Sequence, residues 1–429
     1  MAGKSQTDHY IHMIYLTTIP FAIVAIFLFI YFKRNKISVV NPSNIATIGW
    51  FFPFMLTPLL KLSPYYETWS PGPSLVFWII IAFLSFIFGN FIGYSTIKPK
   101  SVDYHRSIEH KKSSFSIARF RKQAYIVFLF GMIGYINNVI NIINAGGLSV
   151  YTELGFREAE LTFGSNTLIN YLYFLNILTI LMFVYLRYIQ HENRSGDWMI
   201  IAISCIALFS HGVKGTIVWP LVMVFILIHI NRKTIIWSIV LPAIICILGI
   251  FLIVTLGREL PTLVAGTSDL NEWFVKGLLN FPLYFSTGFV NLEIELEKFT
   301  NFAFGLNTIA PFYEVVSFFF GNRQPLEITA ATDDLLYFHA YNTATYLRDP
   351  LRDFGIIGII LFPLLYGLIT SILFSCSSQS INPYIAISYS IYAAAIFGMF
   401  FSNHFQKIQY IFLILICFTL ASLNKRNFR

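Results

Sequence analysis

The sequence predicts an all-α integral membrane protein with about eleven transmembrane helices and one large extracytoplasmic loop. Three observations predict it. The 429 residues are 56% hydrophobic with a mean hydropathy of +0.67. Only 12% are charged, against about 25% in soluble domains. The apolar residues gather in long runs, and Lys and Arg collect in alternate gaps between them.

A helix rises about 1.5 Å per residue and the hydrocarbon layer is about 30 Å thick, so a span takes about 20 apolar residues. Runs of that kind fall at 13–32, 43–62, 75–94, 123–144, 167–186, 198–211, 216–230, 234–256, 355–374, 384–402 and 408–423. In lipid the backbone must satisfy its own polar groups, which makes each run a helix despite Ile, Val and Phe contents that suit strands in water. With the N-terminus outside, the inner loops carry Lys33, Arg34, Lys36, the basic residues from Lys98 to Lys122, Arg187, Arg194, Arg232, Lys233, Lys425, Arg426 and Arg429. These are most of the 29 Lys and Arg, and they place the C-terminus in the cytoplasm. The chain then divides into a first transmembrane bundle (1–256), the large outer loop (257–354) and the last helices (355–429). The net charge of +8 belongs to cytoplasmic loops and implies no nucleic-acid partner. The 4 cysteines form neither a disulfide framework nor a metal spacing. No cleavable signal precedes the first run, so that run is expected to stay in the protein.

In chain order, the basic stretch 95–122 reads as a topology determinant. The next outer segment turns at Gly146-Gly147 and holds a single basic residue, Arg157, among Glu153, Glu158 and Glu160. Arg157 either pairs locally or reaches a lipid phosphate. Asn137, Asn141 and Asn144 share one face of the helix before it, and Asn166, Asn170 and Tyr173 begin the helix after it. Such amides bond neighbouring helices or line a groove for sugar hydroxyls. The runs 198–211 and 216–230 are short and meet at His211-Gly212-Val213-Lys214-Gly215. Fourteen helical residues reach only about 21 Å. Lys214 is therefore expected below the bilayer surface, facing protein, water or an anion, unless it snorkels to the headgroups.

The loop after residue 256 is net acidic, so its arginines need specific partners. Arg258 emerges at the membrane exit. Phe281–Phe320 is apolar but interrupted, and is expected to form helices at the outer surface. Within it Val290–Glu297 alternates with period two and reads as a strand. The loop ends in His339-Ala340-Tyr341-Asn342-Thr343-Ala344-Thr345-Tyr346-Leu347-Arg348-Asp349-Pro350-Leu351-Arg352-Asp353, which runs straight into an apolar span. This charged cluster marks the membrane surface as the place where an anionic, lipid-anchored substrate is handled. Arg348 and Arg352 are one turn apart, with Asp349 and Asp353 as candidate ion-pair partners and Pro350 limiting the helix between them. Gly355 and Gly358 allow close packing at the start of the span, and His404 and Lys407 lie in the last outer loop.

Asn342-Thr343-Ala344-Thr345, followed by Asp353-Phe354-Gly355-Ile356-Ile357-Gly358 and a span, resembles the most recurrent pattern of O-antigen and capsule repeat-unit polymerases (Wzy type). A short span pair joined by Gly212-Val213-Lys214-Gly215 and a large late outer loop resemble them too, although the family more often has arginine where Lys214 stands. The resemblance implies a GT-C-like polymerase/ligase architecture in a bacterial cytoplasmic membrane. It implies glycosyl transfer at the outer leaflet between undecaprenyl-pyrophosphate-linked oligosaccharides, with no cofactor and no metal, and it leaves room for a chain-length regulator protein. Fixed cations stabilise the departing pyrophosphate. The expected catalytic residues are His339, Arg348, Arg352 and Lys214, with His339 as base and Asp353, Asp333 or Glu327 as alternatives. The expected substrate-binding residues are Arg157, Arg258, Asn342, Tyr341, Tyr346 and Asp353. Two rival classes share these features, an O-antigen ligase and a lipid-linked oligosaccharide flippase. The spans carry no Asp, Glu, Lys or Arg in their central portions, which argues against a proton-coupled transporter.

Overall fold

The computed structural model describes 37–57, 71–98, 116–147, 168–210, 214–230, 285–297, 302–319, 345–379, 382–402 and 407–425, with isolated positions elsewhere. Every regular element among the described residues is helical. Their limits follow local rules. Helix α1 (Pro42–Met55) opens with proline at its first position, and the Asn41 side chain accepts the Asn44 N–H at 3.1 Å. Helix α2 (Pro73–Thr96) also opens on proline. Helix α3 (Ile117–Asn144) is capped by Ser116 and ends before Gly146 and Gly147, both at positive φ. Helices α4 (Leu168–Tyr173) and α5 (Leu175–Val184) follow, and α5 passes into a π turn, Tyr185–Ile189. The short pair is α6 (Ser195–Ser210) and α7 (Lys214–His229). Then come α8 (285–297), α9 (Leu306–Phe319), α10 (Arg348–Phe354), α11 (Ile356–Gln379), α12 (Pro383–Phe397) and α13 (Ile408–Lys425).

Four helices are long and apolar enough to cross a membrane: Pro73–Thr96, Ile117–Asn144, Tyr171–Ile189 and Ile356–Ser378. Ser195–Ser210, Val218–His229, Pro383–Phe397 and Ile408–Asn424 are apolar but shorter. Along α3, Leu129, Ile133, Ile136, Ile140 and Ile143 form an exposed apolar stripe at helical spacing. A stripe of that length suits hydrocarbon and not water. Among the described residues the protein is all-α, with helices whose length and composition suit a membrane protein.

The chain packs as two units. One comprises Met1–Val102, Pro282–Cys376 and Ala395–Ile408; the other comprises Asp103–Phe281, Ser377–Ala394 and Gln409–Arg429. In the first, α2 and α11 approach through small residues. A Cβ at Gly89 would lie 2.1 Å from the Leu364 carbonyl oxygen, and one at Gly367 would lie 2.1 Å from that of Phe86. Gly93 meets Ser371 one turn further along. Gly89/Gly93 against Gly367/Ser371 is the small-xxx-small contact of helices in lipid, where backbone proximity replaces the hydrophobic effect. The sequence pattern had suggested a strand at Val290–Glu297, but this segment lies in α8. Eight residues of alternation are short evidence for period two, and α8 is buried on nearly every side, so its apolar positions need no single face.

In the second unit, α3 packs on α4 and α5 through Gly134, where a Cβ would sit 2.3 Å from the Tyr173 nitrogen. The Asn176 side chain donates to the Gly131 carbonyl at 3.0 Å, an interhelical amide bond of the kind expected of Asn in membranes. The Tyr173 hydroxyl lies 2.9 Å from the Ala207 carbonyl oxygen on α6. At the start of α3, Arg121 is buried and its Nη1 lies 2.7 and 2.9 Å from the two carboxylate oxygens of buried Asp197. This arginine, read from the sequence only as part of a basic loop, is a structural ion pair.

Candidate functional site

The site is built on α8 in the first unit. Gly288 admits two segments at once, since a Cβ there would lie 2.4 Å from the Phe400 carbonyl oxygen and 3.3 Å from the Thr345 nitrogen. Ser286 donates to the Pro53 carbonyl at 3.0 Å, and Phe285 stacks on Phe400 with centroids 4.7 Å apart. Glu293 accepts the Gly72 N–H ahead of α2. Two turns beyond Gly288, on the same face, stands Glu295.

Helix α10 lies against that face. Pro350 occupies its third position, where a missing N–H breaks no helical bond, so the helix extends back to Arg348 and holds both arginines. Their i, i+4 spacing brings them to the same carboxylate. Arg348 Nε lies 3.4 Å from Glu295 Oε1, Arg352 Nε donates to that oxygen at 3.0 Å, and an Arg352 terminal nitrogen bonds it as well. The Glu295 side chain is 1% exposed, and those of Arg348 and Arg352 are 16% and 11% exposed. Two guanidinia thus share one buried carboxylate, in surroundings of low dielectric.

Asp353, the next residue round the helix, turns to α9. Its carboxylate accepts from Asn307 N–H (3.0 Å), Asn307 Nδ2 (2.8 Å), Thr308 N–H (2.8 Å) and Thr308 Oγ1 (2.5 Å). These are donors of the first turn of α9, which a negative charge satisfies and stabilises. The backbone ties the same segments, with Ala303 N–H on the Arg352 carbonyl at 2.9 Å and Phe304 N–H on that of Asp353 at 3.2 Å. Gly355 then breaks α10 from α11 at φ +61°, and the Phe302 ring fills the space a Cβ would need. Gly358 sits on Pro350, whose carbonyl oxygen would be 2.0 Å from a Cβ.

The structure therefore brings Arg348 and Arg352 together, and gives two expected ligand contacts another occupation. Asp353, expected to bind substrate, has its oxygens filled by α9. Tyr346, also expected there, is a core side chain with no exposure; its ring meets Trp50 edge-on at 5.5 Å and its N–H bonds the Met399 carbonyl at 2.8 Å. Arg157, Arg258, His339, Tyr341 and Asn342, with Glu327, Asp333 and His404, lie outside the described residues. Lys214 opens α7, and its side chain too lies outside them. Lys407, at the foot of α13 in the first unit, is partly buried with its ammonium 6.0 Å from the centre of the Phe401 ring. Burial pushes its pKa down to about 8. Among the described residues no group of three or more His, Cys, Asp or Glu is placed to hold a metal ion.

Glu295 is the residue of this arginine cluster that sequence reasoning missed. A helical reading of 285–297 would have found it, because that period alone puts Glu295 in line with Gly288.

With this geometry in view, residues 68–429 match the model of a family of unknown function, DUF6337. The chain belongs to that family. No curated protein and no solved structure matches it. In this DUF6337 chain the matched region contains all of α2 to α13, and with them Glu295, Arg348, Arg352 and Asp353.

Proposed function

We propose that this DUF6337 protein is a metal-independent polymerase that joins undecaprenyl-pyrophosphate-linked oligosaccharide repeat units into surface polysaccharide. It works at the outer leaflet of a bacterial cytoplasmic membrane. In this reading about eleven helices cross the bilayer in a GT-C-like arrangement, with the N-terminus outside and the C-terminus in the cytoplasm. The observation that carries it is the arginine pair, fixed on Glu295 immediately before the span that begins at Ile356. The motif resemblance around Asp353–Gly358 supports the same reaction.

The chemistry follows from where charge appears. The terminal sugar hydroxyl of one lipid-linked unit attacks the anomeric carbon of the donor glycan. The C–O bond to the diphosphate breaks, the proton passes to a base, for which His339 is the candidate, and negative charge collects on the leaving diphosphate. Preorganised guanidinia stabilise that charge without reorganising at the moment of reaction.

Purified protein with lipid-linked repeat units is expected to form long polymer. Arg348→Ala and Lys214→Ala are each expected to lower the transfer rate by about a hundredfold or more, while the protein still accumulates in the membrane. Normal chain-length ladders from both variants would refute the electrostatic reading. Transfer of finished glycan onto lipid A core, with no chain growth, would make the protein a ligase.

A further inference from the structure

Glu295 holds more than the arginines require. Its Oε1 receives both guanidinia, yet Oε2 is buried and has no hydrogen-bond partner among the described residues. One arginine on each oxygen would have satisfied both atoms; sharing Oε1 leaves a complete acceptor beside two cations. Arg352 commits Nε and one terminal nitrogen to Oε1, and its other terminal nitrogen makes no bond among the described residues. The group thus offers N–H donors and an anionic acceptor side by side. Phosphate oxygens match the donors. Only an O–H or N–H group matches Oε2.

We propose that Glu295 is both the positioning residue of the arginine pair and the acceptor for one hydroxyl of a bound sugar, so that the site takes a phosphate joined to a sugar in preference to a bare phosphate. This rests on the reading of the site as one for lipid-linked oligosaccharides. A glycosylated diphosphate gives Oε2 a donor. A bare diphosphate brings only further negative charge towards it. The same residue therefore separates substrate from spent carrier: once the glycan has been transferred, the diphosphate lipid faces Glu295 with no hydroxyl to offer, and it leaves.

The test compares binding of farnesyl diphosphate with binding of the same lipid carrying N-acetylglucosamine, on full-length protein in detergent. Wild type is expected to favour the glycosylated lipid at least tenfold. Glu295→Gln is expected to bind the two within about twofold, with the bare diphosphate held more tightly than by wild type because the arginines have lost their counter-charge. Should Glu295→Gln fail to accumulate, Glu295→Asp keeps the charge and withdraws the carboxylate by one methylene, and it too should lose the preference. A folded variant that keeps the wild-type preference overturns the proposal, as does a wild type with no preference. Polymer formation in cells is scored separately. Polymer made by wild type with the preference untouched in the variants sinks this inference alone; a preference that depends on Glu295 in a protein that makes no polymer sinks only the polymerase reading.

Discussion

Asp353 and Glu295 are both buried carboxylates, and their surroundings assign them different work. Asp353 is filled by four donors at the start of α9, so its removal is a matter of stability. Asp353→Asn turns an amide towards donors and is expected to cost about 2–4 kcal/mol, read as a lower thermal midpoint in detergent. Lys407 shows the opposite cost. Its folded pKa of about 8 lies below the ordinary 10.5, so between those values the unfolded chain holds a proton that the folded chain has released. Stability is expected to rise with pH from about 8 to about 10.5. Lys407→Met should abolish that slope and raise the midpoint below pH 8. At this scale the pairing of Arg348 with Arg352 was legible from i, i+4 spacing, whereas their partner was not. Asp349 and Asp353 are neighbours in sequence, but the carboxylate that meets both arginines comes from another helix, and a sequence carries no direct record of tertiary neighbours.

Among the elements, the short pair α6 and α7 was legible from the length of its apolar runs, and each helix has 16 residues, about 24 Å. The α2–α11 contact was legible in principle, since Gly89, Gly93, Gly367 and Ser371 stand in the sequence at the spacing close helix pairs use. Gly89→Leu is expected to force the helices apart at the Leu364 backbone, with a marked drop in membrane accumulation measured by immunoblot. α8 was misread because three glutamates alternating with apolar residues imitate a surface strand. In the helix Glu293 holds the start of α2, Glu295 holds the arginines and Glu297 is exposed. In the second unit the Arg121–Asp197 pair joins the starts of α3 and α6. Asp197→Asn leaves the buried Arg121 guanidinium only the half-exposed Glu192 carboxylate at 4.0 Å and is expected to cost about 3 kcal/mol in unfolding measurements. Arg121→Met with Asp197→Leu is expected to recover most of that loss.

For the whole molecule, composition alone announced a membrane protein, because the balance of charged and apolar residues is a property of the solvent the chain is built for. Sidedness comes from the distribution of Lys and Arg. A C-terminal fluorescent fusion is expected to fluoresce in the cytoplasm, while a phosphatase joined near Phe320 is expected to be active outside; the reverse pattern would invert the topology. The division into two discontinuous units was not legible, since each draws on early and late stretches of chain and apolar runs look alike whichever neighbours they meet. One feature of the first unit reaches beyond a single protein. Because Arg348 and Arg352 lean on one oxygen of Glu295, the loss of Glu295 strands two guanidinia away from water, whereas the loss of either arginine leaves the other paired with the carboxylate. Drift at Glu295 must then pass through a destabilised intermediate unless the arginines change with it, so across descendants Glu295 is kept wherever the pair is kept, and its covariation with them is the historical trace this arrangement should leave.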